Sequence, residues 1–171
     1  MSWPVARLDR IARLRALASG FQGGALHEAV LDAPFDDAWA WLSDLERTVP
    51  DFDEDVARLR IIRREPHPEG GERLRIHTRN TAIVLWMPTV LDAHLASGWC
   101  WMATRPLLYV IGMAAEPEGD RTRFAHFEGL AFQAPRLLQP VLRPVLAASR
   151  WRHDRHVPRD LAAIERHFRS D

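Results

Sequence analysis

Lysine is missing altogether: all 23 cationic residues are arginine, and 23 acidic residues match them. A formal charge of zero leaves no global field to draw in nucleic acid or a membrane surface. The single cysteine, Cys100, excludes an intrachain disulfide and suits a reducing compartment. No apolar run reaches transmembrane length, and the N-terminus lacks the compact apolar core of a secretory signal. The expectation is a cytoplasmic protein without integral membrane association. A glycine-rich phosphate loop, a Gly-x-Ser-x-Gly elbow and a cysteine-rich metal pattern are also absent. Nucleotide-dependent enzymes and serine hydrolases are therefore disfavoured, and no cofactor or metal is expected.

What is present is an ordinary globular balance. In 171 residues, 47% are hydrophobic and 27% charged, enough for one domain with a real core. Asp32–Asp55 is acid-rich and Arg143–Arg169 arginine-rich, which predicts two solvated faces that pair with each other. Leu26–Ala33 reads as a strand ended by Pro34. An amphipathic helix over Asp36–Glu46 follows, with Ala38, Trp41, Leu42 and Leu45 on its apolar face. Val49–Asp55 reads as a Pro-containing acidic connection.

Ahead of this, Pro4–Ser19 is predicted helical, with Leu8, Ile11, Leu14 and Leu17 as a weak stripe ended by glycines. Docking on the domain or fraying is the expected fate of this segment; targeting or a membrane-surface role is the alternative. Domain limits of 1–24 for the extension and 25–171 for the main unit follow.

Downstream, Ala57-Leu59-Ile61 and Leu74-Ile76-Thr78 alternate with arginines at period two, around a Pro66–Gly71 turn. Trp86–Leu95 and Gly98–Thr104 are further strand-like runs, Pro88 placing a bend or edge in the first. Leu108–Glu116 and Arg121–Gly129 form a hairpin across Pro117–Asp120. Pairing Glu116 with Arg121 sets Tyr109 opposite Glu128, Ile111 opposite His126 and Met113 opposite Phe124. From Val141 to Phe168 a helical stripe holds, including Leu142, Val145, Leu146, His153, His156, Val157, Asp160 and Ile164, with Pro158 expected to kink or split it.

The Ala33-Pro34 strand-to-helix opening and the order of elements resemble the START-like helix-grip superfamily, which includes lipid carriers, bacterial polyketide cyclases and the birch-pollen allergen. The Gly119-Asp-Arg-Thr-Arg123 turn is similar to the lead-in to that family's last strand. The resemblance covers about residues 25–168. It implies an α+β fold: a curved antiparallel sheet of about seven strands gripping the C-terminal helix over a cavity, here with an extra N-terminal helix.

His126 and Glu128, two apart on one strand, point to one face roughly 7 Å apart. With Tyr109 across from Glu128 they are the candidate catalytic groups, of the kind used on an enolisable or phenolic substrate. Polar lining of a binding pocket, and a purely structural pairing, are the other readings of the same residues. Expected ligand-lining residues are Trp86, Trp99, Trp101, Tyr109, Ile111, Met113, Phe124, His126, Glu128, His153 and Val157, with Trp99 and Trp101 sharing a face as wall or core. His153 and His156 at i, i+3 can share a helix face as metal ligands do, but the pattern is too sparse to predict a metal. Three functions stay open. The first is binding or transport of an apolar or aromatic small molecule by a monomer or homodimer. The second is a cyclase or aromatase using His126, Glu128 and Tyr109. The third is a ligand-free domain that engages a partner through its N-terminal helix.

Overall fold

The expected start at Pro4 lies outside the described residues; within them, the first helix is capped by Asp9. Its carboxylate accepts a hydrogen bond from the Ala12 amide at 2.6 Å, so α1 spans Arg10–Ala18. The computed structural model describes residues 8–21, 23–81, 89–105, 109–131 and 139–169. Of the expected stripe, Ile11 and Leu14 are fully buried, whereas Leu8 and Leu17 are 58% and 40% exposed. A spacing of three drifts around a 3.6-residue helix, so only the middle pair meets the sheet.

The strand β1 (Ala25–Leu31) leads through Pro34 into α2 (Phe35–Ser43), and a second helix, α3 (Leu45–Phe52), follows at once. The expected loop over residues 49–55 is thus partly helix. Leu45, Thr48, Val49 and Phe52 bury one face of α3 despite Pro50 inside it. Then come β2 (Val56–Pro66), β3 (Glu72–Asn80), β4 (Thr89–Ala96), β5 (Trp99–Arg105), β6 (Tyr109–Glu118), β7 (Arg121–Leu130) and α4 (Gln139–Phe168). Trp86 and Pro88 lie outside the described residues.

The seven strands make one antiparallel, curved sheet in the order β1-β7-β6-β5-β4-β3-β2. In β2 an extra residue enters between Val56 and Arg58, and another between Ile61 and Arg63. Such bulges bend a strand and reset its faces. Hence Ala57 is exposed, a departure from the expected alternation, whereas Leu59 is buried and Ile61, half-buried, packs on the same core. In β3 no bulge intervenes, and Leu74, Ile76 and Thr78 are all buried as expected.

The β6–β7 hairpin corrects the predicted register by two residues. Gly119 takes a positive φ of 67° as the first residue of a two-residue turn, so Glu118 pairs with Arg121. Met113 therefore faces His126, Ile111 faces Glu128 and Tyr109 faces Leu130. An even shift leaves every side chain on the face it was assigned.

One face of the sheet packs against α2, α3 and α4, with Leu31, Leu42, Leu45, Leu74, Ile76, Met113, Phe124 and Ile164 in its core. α4 lies over β1 and β7 and touches α3. It runs through Pro144 and Pro158 as one helix, so of the expected kink or split at Pro158 the split does not occur. Val157 before that proline and Leu161 and Ile164 after it are buried, so packing anchors the helix on both sides of Pro158. Val145, expected in this stripe, is 54% exposed. The acidic and basic segments do pair: Arg152 bonds Asp55, and Arg159 reaches Glu54 at 3.3 Å.

The other face carries α1, whose Ile11 and Leu14 sit on Trp99, Val110, Ala114, Ala125 and Phe127. Gly112 makes this docking possible: a Cβ there would lie 2.5 Å from Leu14 Cδ1 and 3.1 Å from the Trp101 ring. Gly112→Val is expected to cost about 1–3 kcal/mol through overpacking. Amide exchange should then accelerate in residues 10–18 while β3 stays protected; unchanged exchange in α1 would contradict the docking. Cys100 is buried within the sheet, and burial pushes its thiol up to about 12. A thiol reagent at mildly alkaline pH should leave the folded chain unlabelled and label it once unfolded. Rapid labelling of the native protein would contradict this packing.

Candidate functional site

The pleat of β7 sends Thr122, Phe124, His126 and Glu128 to the side occupied by α4, and Ala125 and Phe127 to the side of α1. On that inner side α4 presents His153, His156 and Asp160, and the C-terminus of α3 presents Asp53. All six ionisable side chains are buried, His126 and Asp160 at 1% exposure. Burying this many polar groups is costly unless they partner one another.

They do so in two branches that meet at Glu128. In one, the Tyr109 hydroxyl donates to Glu128 Oε2 at 2.5 Å, and His153 Nε2 lies 3.1 Å from the same phenol oxygen. His153 Nδ1 is 3.0 Å from the Gly23 carbonyl, which also accepts from Ser149 Oγ at 2.9 Å. A carbonyl only accepts, so Nδ1 carries the proton and Nε2 is left as an acceptor. The single phenolic proton of Tyr109 therefore has two acceptors, a carboxylate and an imidazole. Burial and the Glu128 charge hold the Tyr109 hydroxyl well above its usual pKa, and burial pulls His153 down.

The other branch is ionic. His126 Nε2 lies 3.3 Å from Glu128 Oε1 and 3.7 Å from Asp160 Oδ2. His156 Nε2 lies 3.4 Å from Asp53 Oδ1, 3.4 Å from Asp160 Oδ2 and 3.7 Å from Glu128 Oε2. Burial lowers His126, but the Asp160 and Glu128 carboxylates outweigh it and the imidazolium is favoured. His156 is lifted to about 9, chiefly by Asp53. Burial would raise Glu128, yet the neighbouring imidazoliums keep it ionised. Asp160, whose burial is less well offset, is pushed up to about 6.

Against this polar wall lies a small cavity of about 20 Å³. Val49 and Phe52 of α3 and Leu91, Met102, Ile111 and Met113 of the central strands form its apolar lining, and His126, Glu128 and Asp53 its polar end. That volume holds about one water molecule.

Of the expected lining residues, Ile111, Met113, His126 and Glu128 line the cavity. Tyr109 and His153 stand behind Glu128, while Phe124 and Val157 are buried outside the lining. Trp99 and Trp101 do share a face, but it is the outer one: Arg13 lies over Trp99 at 4.7 Å and Trp101 stacks on Phe127 at 6.1 Å. They dock α1 and do not meet the cavity. Trp86 is outside the described residues. Asp53 and Asp160 were not among the expected site residues. Asp160 lies in the apolar stripe of α4 as its one carboxylate, a usable signal; Asp53 gives none, since the sequence of α3 has the composition of a loop.

No protein-family model and no curated protein sequence matches the chain. Solved structures do match. An 18 kDa protein from Caulobacter crescentus superposes with a TM-score of 0.61 at 17% identity, over 85% of this chain and 95% of that one. The Zhui aromatase/cyclase from Streptomyces gives 0.55 at 16% identity, over 84% and 92%. A START superfamily protein from Mycobacterium smegmatis gives 0.52 at 13% identity, over 85% and 96%. These likenesses establish the architecture: the chain has the START-like helix-grip fold.

Proposed function

We propose that the chain binds a small, largely apolar or aromatic molecule, lipid- or polyketide-like, between α3 and the central strands, with one polar group of the ligand against Glu128 and His126. The observation that carries this reading is an apolar cavity closed at one end by buried ionisable groups, the usual composition of a small-molecule site. At about 20 Å³ it must widen to admit a ligand. α3 is the wall suited to move, being eight residues long, interrupted by Pro50 and without a side-chain N-cap. The fold it shares with an aromatase/cyclase and a START protein supports the same ligand class. On this reading residues 25–171 carry the binding function, in a reducing, cytoplasmic setting, and α1 braces the outer face of the sheet.

No described helix is long and apolar enough to cross a membrane. A panel of naphthols, aromatic polyketide mimics and fatty acids should raise the unfolding temperature in a concentration-dependent way and quench tryptophan fluorescence. Absence of both effects across the panel overturns the proposal.

The shared Tyr109 proton favours a second reading, acid/base chemistry on the bound molecule as in a cyclase. Glu128→Gln would then cut turnover about a hundredfold or more with little change in affinity, whereas in a carrier it would change affinity alone.

A further inference from the structure

The buried cluster has more anionic than cationic capacity. Three carboxylates, Asp53, Glu128 and Asp160, face two imidazoles, His126 and His156. Its hydrogen bonding is also incomplete in a specific place. Among the described residues, neither ring nitrogen of His126 and neither carboxylate oxygen of Asp160 has a hydrogen-bond partner, although both side chains are almost wholly buried. His126 Nε2 is 3.3 Å from Glu128 Oε1, close enough to bond, yet it is not aimed to do so. Buried groups that approach one another without bonding are arranged as ligands around a common centre are.

The distances fit that arrangement. Metal–nitrogen and metal–oxygen bonds of about 2.0–2.2 Å in a tetrahedral site put neighbouring ligand atoms about 3.3–3.5 Å apart. The separations here are 3.3 Å for His126–Glu128, 3.7 Å for His126–Asp160 and 3.4 Å for both His156–Asp160 and His156–Asp53. Two three-ligand groups result, His126–Glu128–Asp160 and Asp53–His156–Asp160, each with its ligand atoms within 4.8 Å of one another. Asp160 belongs to both. It is also among the lining residues of an open groove between α3 and α4, with Pro50, Asp51, Glu54, Arg159 and Arg166, but both of its carboxylate oxygens are sealed from solvent, so an ion enters only when α3 and α4 part.

We propose that His126, Glu128 and Asp160 hold a divalent first-row transition-metal ion, with His156 and Asp53 flanking it across the shared carboxylate of Asp160. Imidazole with carboxylate and no thiolate selects zinc, manganese, iron or cobalt over softer or harder ions. The ion would supply the positive charge the cluster lacks and give the unbonded atoms of His126 and Asp160 their partner. The site shares His126 and Glu128 with the polar end of the proposed ligand cavity, but metal binding requires no widening of that cavity, so the two readings can fail separately.

The test uses the full chain, stripped with a chelator and dialysed, then titrated with Zn2+ by calorimetry and with Co2+ by visible absorption. One surface group must be controlled. His67, Glu69 and His94 also cluster, with both histidines half-buried and Glu69 exposed, but they are already bonded locally, His94 Nε2 to the Gly70 carbonyl at 2.9 Å and the Glu69 amide to His67 Nδ1 at 3.2 Å. Binding should survive the double substitution His67→Ala and His94→Ala and be lost in Asp160→Asn. Should Asp160→Asn fail to fold, the unmodified chain still decides: Zn2+ must shift the ring-nitrogen resonances of His126 while those of His67 and His94 stay put. No binding, or binding lost with the surface pair and retained in Asp160→Asn, overturns the proposal. Because no apolar ligand is present, that outcome leaves the small-molecule reading untouched.

Discussion

Glu128→Ala, measured by urea unfolding with a chelator present, is expected to lower stability by about 3–5 kcal/mol, the usual result of removing one partner from a buried ion pair. The side chain is 2% exposed, accepts the Tyr109 hydroxyl at 2.5 Å and lies 3.3 Å from His126 and 3.7 Å from His156. Truncation strips the phenol of its acceptor and both imidazoliums of a counter-charge, in a buried place with room for about one water. Glu128→Gln keeps an oxygen for Tyr109 and removes only the charge, so it should lose less. An alanine variant within about 1 kcal/mol of the parent would mean the histidines are neutral in the folded state, and the ionic branch would have to be redrawn.

The second large effect is at Met113. This residue is fully buried, pairs across the hairpin with His126 and lines the 20 Å³ cavity. Met113→Ala should cost about 2–5 kcal/mol, the spread depending on how far α3 and the sheet collapse into the space left behind. It should also create a binding site for benzene or indole: an apolar void that stays open recovers stability when a ring fills it. A variant that loses stability and gains nothing from either probe would show that the interior closes over the gap, and the cavity would not be a ligand site in waiting.

Much of this interior could be read from residue order. The alternation along β7 puts His126 and Glu128 together on one face, and the even register error in the β6–β7 hairpin does not disturb that; that this face is the helix side comes from the structure. What period-two reading cannot supply is which face is inner when both are apolar. Trp99 and Trp101 were assigned together and fell on the outer side. The discriminating clue was Gly112, the partner of Trp101 across β5 and β6, whose missing side chain makes room for Leu14. α3 was hidden for a different reason. Pro50 and the acids around it have the composition of a loop, yet Leu45, Thr48, Val49 and Phe52 recur at helical spacing and tertiary burial settles the matter. With α3 unseen, Asp53 could not be placed beside His156, and the cluster was left short of one carboxylate.

The central claim is that the space between α3 and the central strands receives a small aromatic molecule whose polar group meets Glu128 and His126. The chain has only four methionines, and two of them, Met102 and Met113, line that space. Methyl-labelled methionine in the full chain, saturated with 1-naphthol, gives the direct measurement: nuclear Overhauser contacts between naphthol ring protons and the methionine methyls. Contacts to both Met102 and Met113, lost when excess unlabelled fatty acid displaces the naphthol, are the expected result. Naphthol that saturates the protein while touching neither methyl, or that does not bind at all, would contradict it.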